Sequence, residues 1–186
     1  MKKTLFAAAL AVVSVLTACK DNTPKQFDGV IVKSSADTVA VKEMTGDQTY
    51  VFTLENADTA EANGLLIGNL ISVTYVGKIS EVTPATKVST DPTYAKAVGK
   101  WIMTDPADSL NIMGVELMTE GKAASINMAT LPVESWELQG EADKITLHGK
   151  SIGNGQTIDF TQTGTIVEQD SCTVLNFGGF SLTKEK

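Results

Sequence analysis

Arginine is absent from this chain: all 15 basic residues are lysine, against 22 acidic ones, and the net charge is −7. Nucleic-acid binding needs a basic face, and bidentate recognition of phosphate or carboxylate favours the guanidinium fork, so both classes are excluded on composition. A single histidine and two cysteines are too few for a clustered zinc or other soft-metal site. No G-x-S-x-G, H-E-x-x-H or P-loop pattern occurs, and the acidic residues lie scattered rather than in any motif. His148 has no second histidine to work with. The expectation is a non-enzymatic protein without a cofactor. Proline is scarce, five in all, and mostly outside the patterned runs, as strands require. Long apolar runs are missing too: beyond the N-terminus nothing approaches the roughly 20 residues that span a bilayer.

The N-terminus is the one strongly apolar stretch. Met1-Lys2-Lys3 is a positive start, and Leu5 to Leu16 is uncharged and apolar. It is too short to span and suits the core of a secretory signal. Leu16-Thr17-Ala18-Cys19 follows. This run resembles the lipobox of bacterial lipoproteins. The resemblance implies cleavage after residue 18 and a diacylglycerol on the Cys19 sulfur, usually joined by an N-acyl chain such as palmitate. More than one acyl chain makes a stable anchor, where a single one binds marginally. The implied address is the cell envelope, most often the outer membrane. Removing Lys2 and Lys3 with the leader takes the net charge from −7 to −9. With Cys19 consumed, Cys172 has no partner for a disulfide within the chain, and its apolar neighbourhood reads as a buried, inert thiol. Residues 19–26 read as a solvated tether.

The remainder is patterned for strands. Over 27–80, apolar and polar residues alternate in Gly29–Lys33, Thr38–Lys42, Thr49–Leu54 and Leu70–Val76, with turn chemistry at Thr45–Gln48. Asn56–Gly64 reads as a short helix. That order suggests a small OB-like barrel, with an SH3-like barrel as the near alternative. This segment carries four lysines against nine acids up to Pro92, so the aromatic residues Tyr50, Phe52 and Tyr75 read as core rather than as a stacking platform, which also needs a basic groove. Residues 81–96 hold Pro84 and Pro92 and read as a linker. From 97 to 186, eight short strands at roughly ten-residue spacing indicate a sandwich or an up-and-down barrel. Their expected positions are 99–104, 114–119, 123–128, 133–139, 144–150, 156–162, 164–169 and 172–183. The fold class is all-β.

Gly99-Lys100-Trp101 at the head of that pattern, the block Ala124–Leu131, then Trp136 and Ser151–Thr157 resemble the lipocalin-like domain of exported lipoproteins. The resemblance covers about residues 97–180 and implies an eight-stranded antiparallel barrel with Trp101 plugging its closed end. Such a barrel either fills with its own side chains or holds one small ligand. Alternation places Trp101 with Met103, Val115 with Leu117, Ile126 with Met128, Trp136 with Leu138, Ile145 with Leu147, and Ile158 with Phe160 on the inward face. A ligand cavity would lie away from Trp101, walled by Ile126, Met128, Trp136, Leu138, Leu147 and Phe160. Ser125, Asn127, Asn154 and Gln156 read as backbone-binding groups at turns and edges. Two functions fit: a membrane-tethered carrier of a small apolar or amphipathic molecule, or a scaffolding lipoprotein with solid barrels.

Overall fold

The computed structural model describes residues 22–186. The segment read as a secretory leader, and Cys19, lie outside the described residues. In the first half, β1 (Pro24–Ser34), β2 (Thr38–Glu43) and β3 (Thr49–Thr53) form an antiparallel meander. β5 (Leu70–Val76) pairs antiparallel with both β1 and β6 (Val82–Thr90). β6 then returns parallel alongside β3. The ring β1-β2-β3-β6-β5 is the strand order of an OB-type small barrel. With β4 (Asp58–Glu61) laid parallel on β6, the sheet has six strands. Inward positions alternate as period two demands: Ile31, Val39, Val41, Phe52, Val73 and Val88 are completely buried. Phe27, Tyr50, Phe52 and Tyr75 meet ring to ring across this core.

Three expectations for this half are corrected. The segment read as a short helix contains β4 instead. Asn56, Asp58, Thr59, Asn63 and Gly64 are poor helix formers, and β6 offers an open edge to pair with. The segment read as a linker carries β6 and a helix, α1 (Pro92–Ala97). Pro84 sits on the exposed side of β6, and Pro92 starts α1, where a missing N–H costs nothing. Asp91 caps that helix, its carboxylate accepting from Thr93 N at 2.8 Å. The segment read as a tether, residues 19–26, ends in a strand instead: Pro24 to Gln26 pair with Val76 to Thr74. A fragment ending at Ser80 therefore lacks the strand that closes the barrel. It is expected to melt without cooperativity, whereas one ending at Asp91 should melt cooperatively. Circular dichroism of the two against temperature checks this.

The second half is an eight-stranded antiparallel sheet in the order β10-β11-β12-β13-β14-β7-β8-β9, curled into a nearly closed barrel. The strands are β7 (Gly99–Thr104), β8 (Ile112–Leu117), β9 (Ala123–Ile126), β10 (Val133–Leu138), β11 (Lys144–Gly153), β12 (Gln156–Glu168), β13 (Thr173–Phe177) and β14 (Phe180–Lys184). At the seam between β9 and β10, Lys122 bridges to Ser135. Ser125 Oγ adds two bonds there, accepting from Val133 N at 2.7 Å and donating to Leu131 O at 3.2 Å. Asn127 Nδ2 donates to Ile112 O at 2.7 Å. Asn154 and Gly155, at φ 52° and 72°, make the tight turn between β11 and β12.

The count of eight strands holds, but two boundaries move. Gly164 does not break β12: it lies buried in mid-strand, where Ile145 and Leu175 close over it. The last expected strand is a hairpin, β13–β14, turning at Gly178-Gly179. Cys172 consequently falls in the turn before β13 and is half-buried, not sequestered in a strand.

Trp101 is completely buried at the α1 end, its indole N–H donating to Ala97 O at 2.7 Å. Lys184 Nζ stands 5.3 Å from the ring centroid and donates to Lys96 O at 2.6 Å. Burial pushes the Lys184 ammonium below its usual 10.5. Between that lowered value and 10.5 the unfolded chain holds more protons at this residue than the folded one. Its contribution to stability is therefore smallest below the window and grows as pH rises through it. The stability of the wild type relative to Lys184→Met should rise as pH approaches 10.5, read from urea melts over a pH series.

Candidate binding cleft between the barrels

The barrel interior is occupied by its own side chains. Trp101, Val115, Leu117, Ile145, Leu147, Leu175 and Leu182 are at most 1% exposed. A hollow lies instead where the two barrels meet, a cleft of about 640 Å³. One wall is the first barrel: Val30 and Val32 on the outer face of β1, Met44, Ile67 and Leu70. The other is the second barrel: Tyr94 of α1, the Glu120-Gly121 turn, and Trp136, Glu137 and Leu138 at the end of β10. Val32, Met44 and Ile67 are 41%, 58% and 38% exposed, so this wall presents apolar surface to solvent.

Hydrogen bonds at the floor hold the walls in register. Tyr94 Oη donates to Ile67 O at 2.9 Å and accepts from Glu120 N at 2.9 Å. Burial pushes the Tyr94 hydroxyl above its usual range, which keeps it protonated and able to donate. Trp136 stacks 4.8 Å from the Tyr94 ring, and its indole N–H donates to Met118 O at 2.8 Å. α1 is tied to the second barrel by Lys96, which reaches Asp143 and Glu168 at 2.9 and 3.0 Å. Those two carboxylates raise the Lys96 ammonium above 10.5. Asp143 N also donates to Thr93 Oγ1 at 3.1 Å. Glu120 and Glu137 stand at the rim, Glu120 paired with Lys122 at 2.7 Å and Glu137 with His148 at 3.3 Å. The mouth is thus apolar with polar, ion-paired edges.

Of the six residues expected to wall a cavity, Trp136 and Leu138 line this cleft. Met128 and Leu147 are buried in the core, and Phe160 packs against it. Ile126 does not share their face. Ser125 is the cross-strand partner of the inward Val115, so Ile126 turns to the other side, and the left-handed Asn127 (φ 52°) then returns Met128 to the core. Ile158 is also off the core: at 61% exposure it stands on the outer part of the β11–β12 hairpin. The cleft lies at the Trp101 end, not away from it. The first-barrel wall is not among the expected residues, although Val30-Ile31-Val32 carries a signal: an apolar run without alternation puts apolar side chains on both faces of its strand.

The strand order and seam of the second half define a calycin-type barrel, here joined to an OB-type barrel. Residues 93–179 match the lipocalin-like family. A crystal structure of a lipocalin-like protein from Bacteroides thetaiotaomicron VPI-5482 is similar at 40% identity, with a TM-score of 0.40. The match covers 48% of this chain and 96% of that one. The second barrel is thus a lipocalin-like domain. No curated protein matches it.

Proposed function

We propose that this chain is a lipid-anchored, non-enzymatic binding protein of the cell envelope, which takes a small apolar or amphipathic molecule in the cleft between its barrels. The observation that carries the reading is the cleft itself, about 640 Å³ in size and walled by Val32, Met44, Ile67, Trp136 and Leu138. Ligand sites of a few hundred Å³ are lined mostly by apolar side chains with a few polar groups and lie preferentially between domains. The filled interior of the second barrel argues for this location over the barrel axis. Anchoring follows from the lipobox resemblance at Leu16–Cys19.

Two measurements test the reading. An apolar fluorescent dye should bind the wild type. Met44→Glu, a change at an exposed position, should abolish that binding while altering stability by less than about 0.5 kcal/mol. Equal dye binding by both proteins would sink the cleft as the site. For the anchor, Cys19→Ala should move the protein from the membrane pellet to the soluble fraction, and a variant that stays in the pellet after salt extraction would refute it.

A second reading, a scaffold that binds another protein, is favoured by one observation. Ile152 and Ile158 are 43% and 61% exposed on the projecting β11–β12 hairpin. Under that reading Ile158→Lys, not Met44→Glu, is the variant that loses the partner.

A further inference from the structure

The chain path orders the molecule from one pole to the other. β1 begins at Pro24, five residues after Cys19. Extended chain covers at most about 3.6 Å per residue, so five residues tie a lipid on Cys19 within a reach of about 18 Å from β1. The barrel end that meets Pro24 also carries Val76, the turn at 77–81 and Val82, because Pro24 pairs with Val76 and Val82 opens β6. At the opposite end β1 finishes, β5 begins, and β6 hands the chain to α1 and the second barrel. β11 starts at that junction, beside Asp143 and Thr93, and runs away from it. The tip of the β11–β12 hairpin is therefore the far pole.

The end next to Cys19 has a surface of its own. Val76 and Val82 are 39% and 56% exposed. Lys78 is exposed beside them, and Lys25 is half-buried with Nζ donating to Gly77 O at 2.9 Å. Glu81 is the acidic residue of the same turn. Apolar side chains next to lysine stems, which lay their methylenes on apolar surface and keep the ammonium in water, suit the boundary between headgroups and acyl chains.

We propose that this end of the first barrel sits on the bilayer surface that holds the lipid, and that the first barrel is a spacer carrying the cleft and the second barrel clear of the membrane. The proposal rests on the lipid-anchor reading. From Pro24 to Val30, where the cleft wall begins, β1 runs about 20 Å at 3.3 Å per residue. The cleft thus opens towards the aqueous side, where it meets dissolved rather than bilayer-embedded molecules. The contact surface is small, and it is the covalent tether that keeps it at high local concentration near the headgroups. Without the lipid, the same face should not hold the protein on vesicles.

The test uses the full lipidated protein in vesicles of phosphatidylethanolamine and phosphatidylglycerol that carry a headgroup-attached quencher. One fluorophore is placed at Val82→Cys and, separately, at Ile158→Cys, each in a Cys172→Ser background. Both positions are exposed, so neither change reaches a core. Quenching should be several-fold stronger at 82 than at 158, and a second pair, Lys78→Cys and Ile152→Cys, should repeat the contrast. Equal quenching at both poles in protein that floats with the vesicles overturns the seating and leaves the anchor intact. Protein that does not float overturns the anchor itself, and the seating with it.

Discussion

Trp136→Ala is expected to destabilise the second barrel by about 3–5 kcal/mol, the range for deleting a buried tryptophan from a packed core. A residue on the wall of an open cup would lose far less, since the empty protein would leave it partly solvated. Trp136 is 2% exposed, stacks on Tyr94 and donates to Met118 O at 2.8 Å. It therefore belongs to the core on one side and forms the back of the cleft on the other. Denaturant unfolding measures the loss, and dye binding should vanish in the same variant. Trp136→Phe keeps one aromatic ring but gives up the second ring and the hydrogen bond, so its cost should be smaller than that of Trp136→Ala without vanishing. A loss below about 1 kcal/mol for Trp136→Ala would mean that the interior is not filled as described.

Gly68→Ala should act on the junction rather than on either core. Gly68 adopts φ +90°, and a Cβ there would lie 2.4 Å from Tyr94 Oη and 2.9 Å from Glu120 N. A side chain in that backbone region costs about 1–3 kcal/mol by itself. The methyl group also displaces the hydroxyl that joins the walls. The walls should part, and dye affinity should fall at least about tenfold, equivalent to about 1.4 kcal/mol. Near- and far-UV circular dichroism should show both barrels still folded. Unchanged affinity would place the ligand elsewhere.

How far each element could be read from sequence follows from the strength of its period. Trp101, Val115, Leu117, Trp136, Ile145 and Leu147 stand on the inward face as alternation indicates, because each strand pairs large apolar residues with polar ones. β6 was illegible for the opposite reason: its inward residues include Thr83, Ala85 and Thr90, too small or too polar to stand out from a linker. Ile126 and Ile158 mark where period two stops being valid, at a left-handed residue and on a hairpin that leaves the barrel. The cleft belongs to neither barrel alone. Its walls come from residues more than a hundred positions apart, such as Val32 and Trp136, and no local pattern records which outer faces will meet. Only the doubly apolar Val30-Ile31-Val32 marks β1 as apolar on both faces, the outer one open to solvent at Val32.

The parallel pairing of β3 with β6 sets an order of events during folding. β3 is complete at Thr53, but its partner is not complete until Thr90. Until Val82–Pro84 dock, the outer edge of β3 presents unpaired N–H and C=O groups, a template for another chain. Anything that delays that docking lengthens the exposure, and with it the yield of aggregates, without changing one contact in the finished molecule.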